Sequence, residues 1–166
     1  ADRFGLVSGF QKRFGLFSAQ SPAFNLSLCF LLQEKHYFWK LPREEQAFVR
    51  HYQRVLRLPE DLHFFKSLSG LSRLELQKIV LGRWLATKPI ALFLDEPFRG
   101  LEKKEQKEFS FLLRDLVDQG VSLVLGSASM KEHLALSDRV LAVNQDQILK
   151  EIASSEITEE SLSQIL

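Results

Sequence analysis

Residues 90–97 read IALFLDEP, an apolar run that ends without transition in two carboxylates and a proline. A short apolar segment bounded by turn-forming residues is a buried β-strand, and Pro89 immediately upstream ends whatever helix precedes it. Buried strands rarely finish in adjacent charges. In a parallel sheet, ligands collect beyond the carboxyl ends of the strands, so Asp95 and Glu96 are expected at the rim of a site. Taken alone, an Asp-Glu pair fits a solvated strand end equally well.

Working outward, the spacing downstream predicts a helix over 102–119, a strand over 121–126 and a helix over 130–136. Strands follow near 139–143 and 147–152, and a last helix starts at Thr158 with Glu159 and Glu160 in its first turn. Apolar strands alternating with helices imply a parallel sheet built from crossover units. Upstream, SLSGLS leads into a helix from about Ser72 to Ala86, with Leu74, Ile79, Leu81 and Leu85 turned partly inward. PREEQAFVRHYQRVLR at 42–57 is a second, amphipathic helix carrying Phe48, Tyr52, Val55 and Leu56 on one side. The expected order is a mostly helical first half followed by an α/β second half. RFGL occurs at 3–6 and again at 13–16, a short hairpin or an accident.

The 166 residues, 45% of them hydrophobic, are enough for one globular unit with its own core. The formal charge of +1 comes from 22 basic and 21 acidic residues interleaved along the chain, which leaves no basic stripe for a nucleic-acid backbone. Cys29 is the single cysteine, and its setting in NLSLCFLL reads as a small apolar core position in a reducing, cytoplasmic compartment. No apolar stretch approaches the roughly 20 residues that span a bilayer. The opening residues do not read as a signal peptide, and the start on Ala1 rather than methionine suggests a fragment or a processed product whose upstream part is missing.

The segment LSRLELQKIVLGRWLATKPIALFLDEPFRGLE (71–102) resembles the ATP-binding cassette ATPases, in particular the second cassette of ribose- and galactose-type importers. That family has LSGGNQQK, an arginine-tryptophan-leucine-alanine helix and a strand ending in DEPTRGID. LALSDRVLAV (134–143) is similar to the strand and turn after the family's switch histidine, and the resemblance extends over about 25–148. It implies an α/β fold, the P-loop NTPase-like core of a cassette, with 25–88 as the helical subdomain, 89–152 as the α/β core and 153–166 as a C-terminal helix.

By the same resemblance, Asp95 falls on the magnesium-holding aspartate and Glu96 on the catalytic glutamate, which accepts the proton of the attacking water. Glu102 falls on an aspartate that reaches across the dimer, and its extra methylene changes that reach. Ser72, Arg73 and Gln77 fall in the signature segment that contacts nucleotide. Arg73 and Leu74 replace its two glycines, and a leucine side chain there is expected to obstruct approach to a γ-phosphate, while Arg73 offers charge to it. The competing reading of Ser72 is an ordinary helix cap. Phe98 stands where the family has threonine, and Ala128 stands at the switch histidine; His133, five residues on, is a surface or packing residue. The glutamine that senses the membrane partner has two candidates, Gln20 and the opening ADRFGLV, in which Ala1 takes its place; the second is preferred.

The implied ligands are ATP and Mg²⁺, and the implied partners are permease subunits and a second cassette, with peripheral attachment to the inner face of the cell membrane. No GxxxxGK[ST] string occurs in the chain, so the strand, loop and helix that cradle phosphates are absent from it. The expectation is therefore a degenerate C-terminal cassette of a sugar or nucleoside importer, inactive by itself. The alternative is a non-catalytic interaction module that keeps the cassette fold. A cassette ATPase of nucleic-acid repair or translation fits the DEP strand but not the RWLAT helix or the LSDRV turn.

Overall fold

The computed structural model describes residues 4–8, 15–33, 42–62, 66–127, 136–144 and 147–153. The apolar run of 90–94 becomes strand β2 (Ala91–Asp95), flanked in parallel by β1 (Phe4–Ser8) and β3 (Ser122–Gly126) in the order β1-β2-β3. The register pairs Ser8 with Asp95 and Asp95 with Gly126, so the strand that carries the carboxylates is the central one. One face of this sheet, with Val7, Leu92 and Leu94, is in the core. The other bears Phe4, Leu6, Phe93 and Val124, all exposed, with Leu6, Phe93 and Val124 side by side in register.

Helix α4 (Lys103–Asp118) is the crossover from β2 to β3 and buries Phe109, Leu112, Leu113 and Leu116, a stripe at helical spacing. Its other side is charged. Helix α3 (Arg73–Leu85) packs on α1 (Pro22–Gln33) and on β1, while α2 (Pro42–Val55) packs on α1. Gly82 is the point of close approach in α3. A Cβ there would lie 2.5 Å from Leu26 Cδ1 and 2.6 Å from Leu56 Cδ1, so only a residue without a side chain lets α3 and the two leucines meet. Lys78 is 1% exposed yet compensated: its Nζ donates to Glu108 Oε1 at 2.5 Å and to the Arg57 carbonyl at 3.1 Å, joining α3, the end of α2 and α4.

Four inward positions expected of the 72–86 helix, Leu74, Ile79, Leu81 and Leu85, are all buried. The 42–57 helix, the 102–119 helix and the strands over 90–94 and 121–126 appear within two residues of their expected bounds. Other expectations change. Residues 4–8 are a parallel strand rather than part of a hairpin, and 22–33 are a helix. That helix starts where Ser21 Oγ accepts the Phe24 N–H and where the Asn25 side chain, fully buried, bonds both backbone groups of Phe17. Cys29 is half-buried rather than a core residue.

Strands β4 (Arg139–Asn144) and β5 (Gln147–Ala153) do not extend the parallel sheet. They pair with each other antiparallel, because the two residues between them allow a hairpin and no crossover. Most of the helix expected over 130–136, and the one from Thr158, lie outside the described residues, as do Phe10, Phe14 and Phe38. Of the other early phenylalanines, Phe30 stacks on Phe48 at 4.6 Å and is half-buried, as is Phe24, while Phe4 and Phe17 are exposed.

Candidate functional site

Where β2 ends, the chain turns sharply. Asp95 is exposed, and Glu96 is half-buried with φ of 46°, a left-handed conformation that costs a residue with a Cβ about 1–2 kcal/mol. Backbone bonds hold it there: Glu96 N–H donates to the Gly126 carbonyl at 2.7 Å, and the Glu96 carbonyl accepts the Arg99 N–H at 3.1 Å. Pro97 and Phe98 are buried, with Phe98 edge-on to Phe109 at 5.8 Å. The turn closes on Gly100, also left-handed at φ 74°, and delivers the chain to Glu102, the exposed N-cap residue of α4, whose N–H donates to Glu105 Oε2 at 2.9 Å.

Against this turn stands the first turn of α3. Ser72 caps it in a reciprocal pair: Ser72 Oγ accepts the Glu75 N–H at 3.2 Å, and Ser72 N–H donates to Glu75 Oε2 at 2.6 Å. The Arg73 guanidinium lies over Gly100, where an added Cβ would come within 2.5 Å of its Nη1. Gln77, one turn further, is buried and donates from Nε2 to the Pro97 carbonyl at 2.5 Å. Two carboxylates, a cation and a helix N-terminus thus share one end of the sheet. That donor set suits a hydrated Mg²⁺ held through Asp95, since this ion takes one or two carboxylates and draws its other ligands from phosphate and water.

Known proteins share the sequence pattern and the fold of this chain. The chain is 30% identical over 158 residues to the ribose import ATP-binding protein RbsA of Clostridium perfringens, and 32% identical over 161 residues to that of Rhodopirellula baltica. These alignments take in 93% and 96% of the chain but 31% of each relative. A solved metal-chelate type ABC transporter in an inward-facing conformation superposes with a TM-score of 0.80 at 21% identity, covering 99% of the chain and 64% of that one. An ATP-binding cassette bound to ADP and Pi gives 0.72 at 20% identity, covering 92% and 63%. It is an ATP-binding cassette related to the ribose and galactose import ATP-binding proteins. No family model matches the chain. The cassette spans about a third of the length of the curated relatives it matches.

Within the cassette, Asp95, Glu96, Arg73, Gln77 and Glu102 are gathered around a single turn, with Ser72 beside Arg73. Ser72 Oγ is engaged as a helix cap, as the competing sequence reading holds, and the Gln77 amide is engaged by Pro97. Leu74, expected to stand in the way of a phosphate, is 4% exposed and packs in the core instead, leaving Arg73 as the side chain that occupies the outer surface there. Gln20 is exposed at a bend, while Ala1, Ala128 and His133 lie outside the described residues. Among the described residues no group of three or more His, Cys, Asp or Glu side chains gathers to hold a metal, and no helix is long and apolar enough to cross a membrane.

The Gln77–Pro97 bond and the left-handed Glu96 escaped sequence reasoning. A signal for the first exists: Leu74, Gln77, Lys78, Leu81 and Leu85 follow helical spacing, which puts both polar residues on the buried face. For the second, the strain itself is testable. Glu96→Gly is expected to raise the unfolding free energy in urea by about 0.5–1 kcal/mol, and Glu96→Gln to leave it unchanged, since glutamine keeps the Cβ that makes φ of 46° costly.

Proposed function

We propose that this cassette is the C-terminal, degenerate ATP-binding half of an importer for a sugar or nucleoside, coupling ATP binding and hydrolysis to transport from the cytoplasmic face of the membrane. The observation that carries the reading is the pair Asp95 and Glu96 at the end of the central parallel strand, backed by the capped first turn of α3. Asp95 holds Mg²⁺, Glu96 accepts a proton from the attacking water, and Arg73, with Ser72 and Glu102 beside it, faces a nucleotide bound on a second cassette. Residues of about 25–88 form the helical subdomain that docks a permease, and 89–152, joined by β1, form the α/β core.

In the ABC family the loop that cradles the phosphates provides charge-assisted hydrogen bonds worth about 1.5–3 kcal/mol each, and four of them, about 6–12 kcal/mol together, are as large as the ~8 kcal/mol that define micromolar affinity. No GxxxxGK[ST] string occurs in this chain. Titration of the chain with Mg-ATP in a calorimeter should therefore give millimolar affinity or no heat. Grafted in place of the matching third of the Clostridium perfringens ribose import protein, it should restore nucleotide binding at the composite site. A micromolar isotherm from the chain alone would overturn the first expectation, and a graft that folds but loses that binding would overturn the reading as a whole.

One observation favours a second reading, a cassette-fold interaction module without nucleotide chemistry. Ser72 and Gln77, both assigned to nucleotide contact by resemblance, already have intramolecular partners. A graft that keeps assembly with the permease while binding one nucleotide fewer would select it.

A further inference from the structure

The turn that carries Glu96 contains a residue, Pro97, with no N–H to help hold it. Of the backbone polar groups of Pro97, only the carbonyl, one peptide beyond Glu96, can be held by a hydrogen bond. That carbonyl accepts the Gln77 side chain at 2.5 Å, in surroundings where Gln77 is 8% and Phe98 2% exposed. A buried hydrogen bond of this kind is costly to leave unmade. The left-handed backbone of Glu96 also needs neighbours that over-determine it, since such strain persists only where the surroundings enforce it. The Gly126 carbonyl and the Arg99 N–H supply two restraints from the core sheet and from the turn itself. Gln77 supplies one from a different element, α3.

We propose that Gln77 is a positioning residue: its carboxamide fastens α3 to the Asp95–Glu96 turn, so that a displacement of α3 is transmitted to the direction of the Glu96 carboxylate. The resemblance assigns Gln77 to nucleotide contact; the geometry gives its amide to Pro97 instead. Arg73 over Gly100 reinforces the same junction from the other end of the turn. The proposal deepens the reading of Glu96 as the proton acceptor and rests on it for its functional meaning. The bond itself is measurable without nucleotide, so failure of ATP binding and failure of this proposal are separate results.

The experiment compares Gln77→Leu and Gln77→Glu with the parent chain by amide hydrogen exchange resolved by NMR. Leucine fills the space without a donor, and glutamate keeps the shape but donates only when protonated. Gln77→Leu is expected to lower the protection of the Glu96 and Arg99 amides about tenfold relative to amides in the middle of α4. Gln77→Glu is expected to match leucine near neutral pH and to recover protection toward about pH 4, where its carboxyl can donate to Pro97. If Gln77→Leu keeps protection within about twofold, or if both variants lose it evenly across β2 and α4 with no recovery of the glutamate variant in acid, Gln77 is a packing residue and the proposal fails.

Discussion

Replacing Phe109 with alanine will lower the unfolding free energy by about 3–5 kcal/mol. Phe109 is fully buried on the inner stripe of α4, with Leu112, Leu113 and Leu116 following it at helical spacing. Its ring meets Phe98 edge-on, at 5.8 Å between centroids and 70° between planes, a geometry that adds about 0.5–1.5 kcal/mol to simple burial. Phe98 belongs to the turn between Glu96 and Gly100, so the cavity opens against the turn that carries Glu96. Urea unfolding followed by tryptophan fluorescence is the direct measurement, with Phe109→Leu as the milder control at about 1 kcal/mol. A loss under about 1 kcal/mol for the alanine variant would mean that α4 does not seat against the turn as described.

The second large effect is at Gly82. Valine there will destabilise the chain by about 3 kcal/mol, because its Cβ alone would stand 2.5 Å from Leu26 Cδ1 and 2.6 Å from Leu56 Cδ1, and two further methyl groups follow. Both leucines are fully buried, so neither can swing into solvent to make room. Alanine is a gentler case: its gain in helix propensity, about 1 kcal/mol over glycine, offsets part of the overpacking, and the net loss should be near 1 kcal/mol. Equal effects of valine and alanine in the same urea titration would show that α3 has room at this point and that the packing against α1 is looser than the contacts require.

The parts of this fold that could be read in the sequence are those whose pattern is complete within a short window. IALFL announces a buried strand by its own composition, and α2 and α4 announce themselves by charged and apolar faces at helical spacing. Strand β1 is different. Phe4 and Leu6 face outward, leaving too little alternation between apolar and polar residues to mark a strand, and its hydrogen-bonding partner lies far along the chain in β2. Helix α1 is hidden for the opposite reason: NLSLCFLL is apolar almost all round, and periodicity cannot separate such a helix from a strand.

At the candidate site, the position of Asp95 and Glu96 at the end of a parallel strand was legible but their backbone setting was not. Side-chain chemistry marks which residue can hold a cation or accept a proton, whereas the left-handed φ of Glu96 arises from restraints supplied by Gly126 on β3, by Arg99 and by α3. The same distinction explains Leu74. As one of two replacements for glycine it reads as an obstruction, yet the helix rotates it into the core and leaves Arg73 outside.

The one-sided sheet has a calorimetric consequence. Phe4, Leu6, Phe93 and Val124 are already in water when the chain is folded, so unfolding wets less new apolar surface than it would for a sheet covered on both faces. The heat-capacity increment is then smaller than for the same sheet covered on both faces, and the stability curve slightly flatter. Any body that covers this face will sharpen the curve as well as raise it.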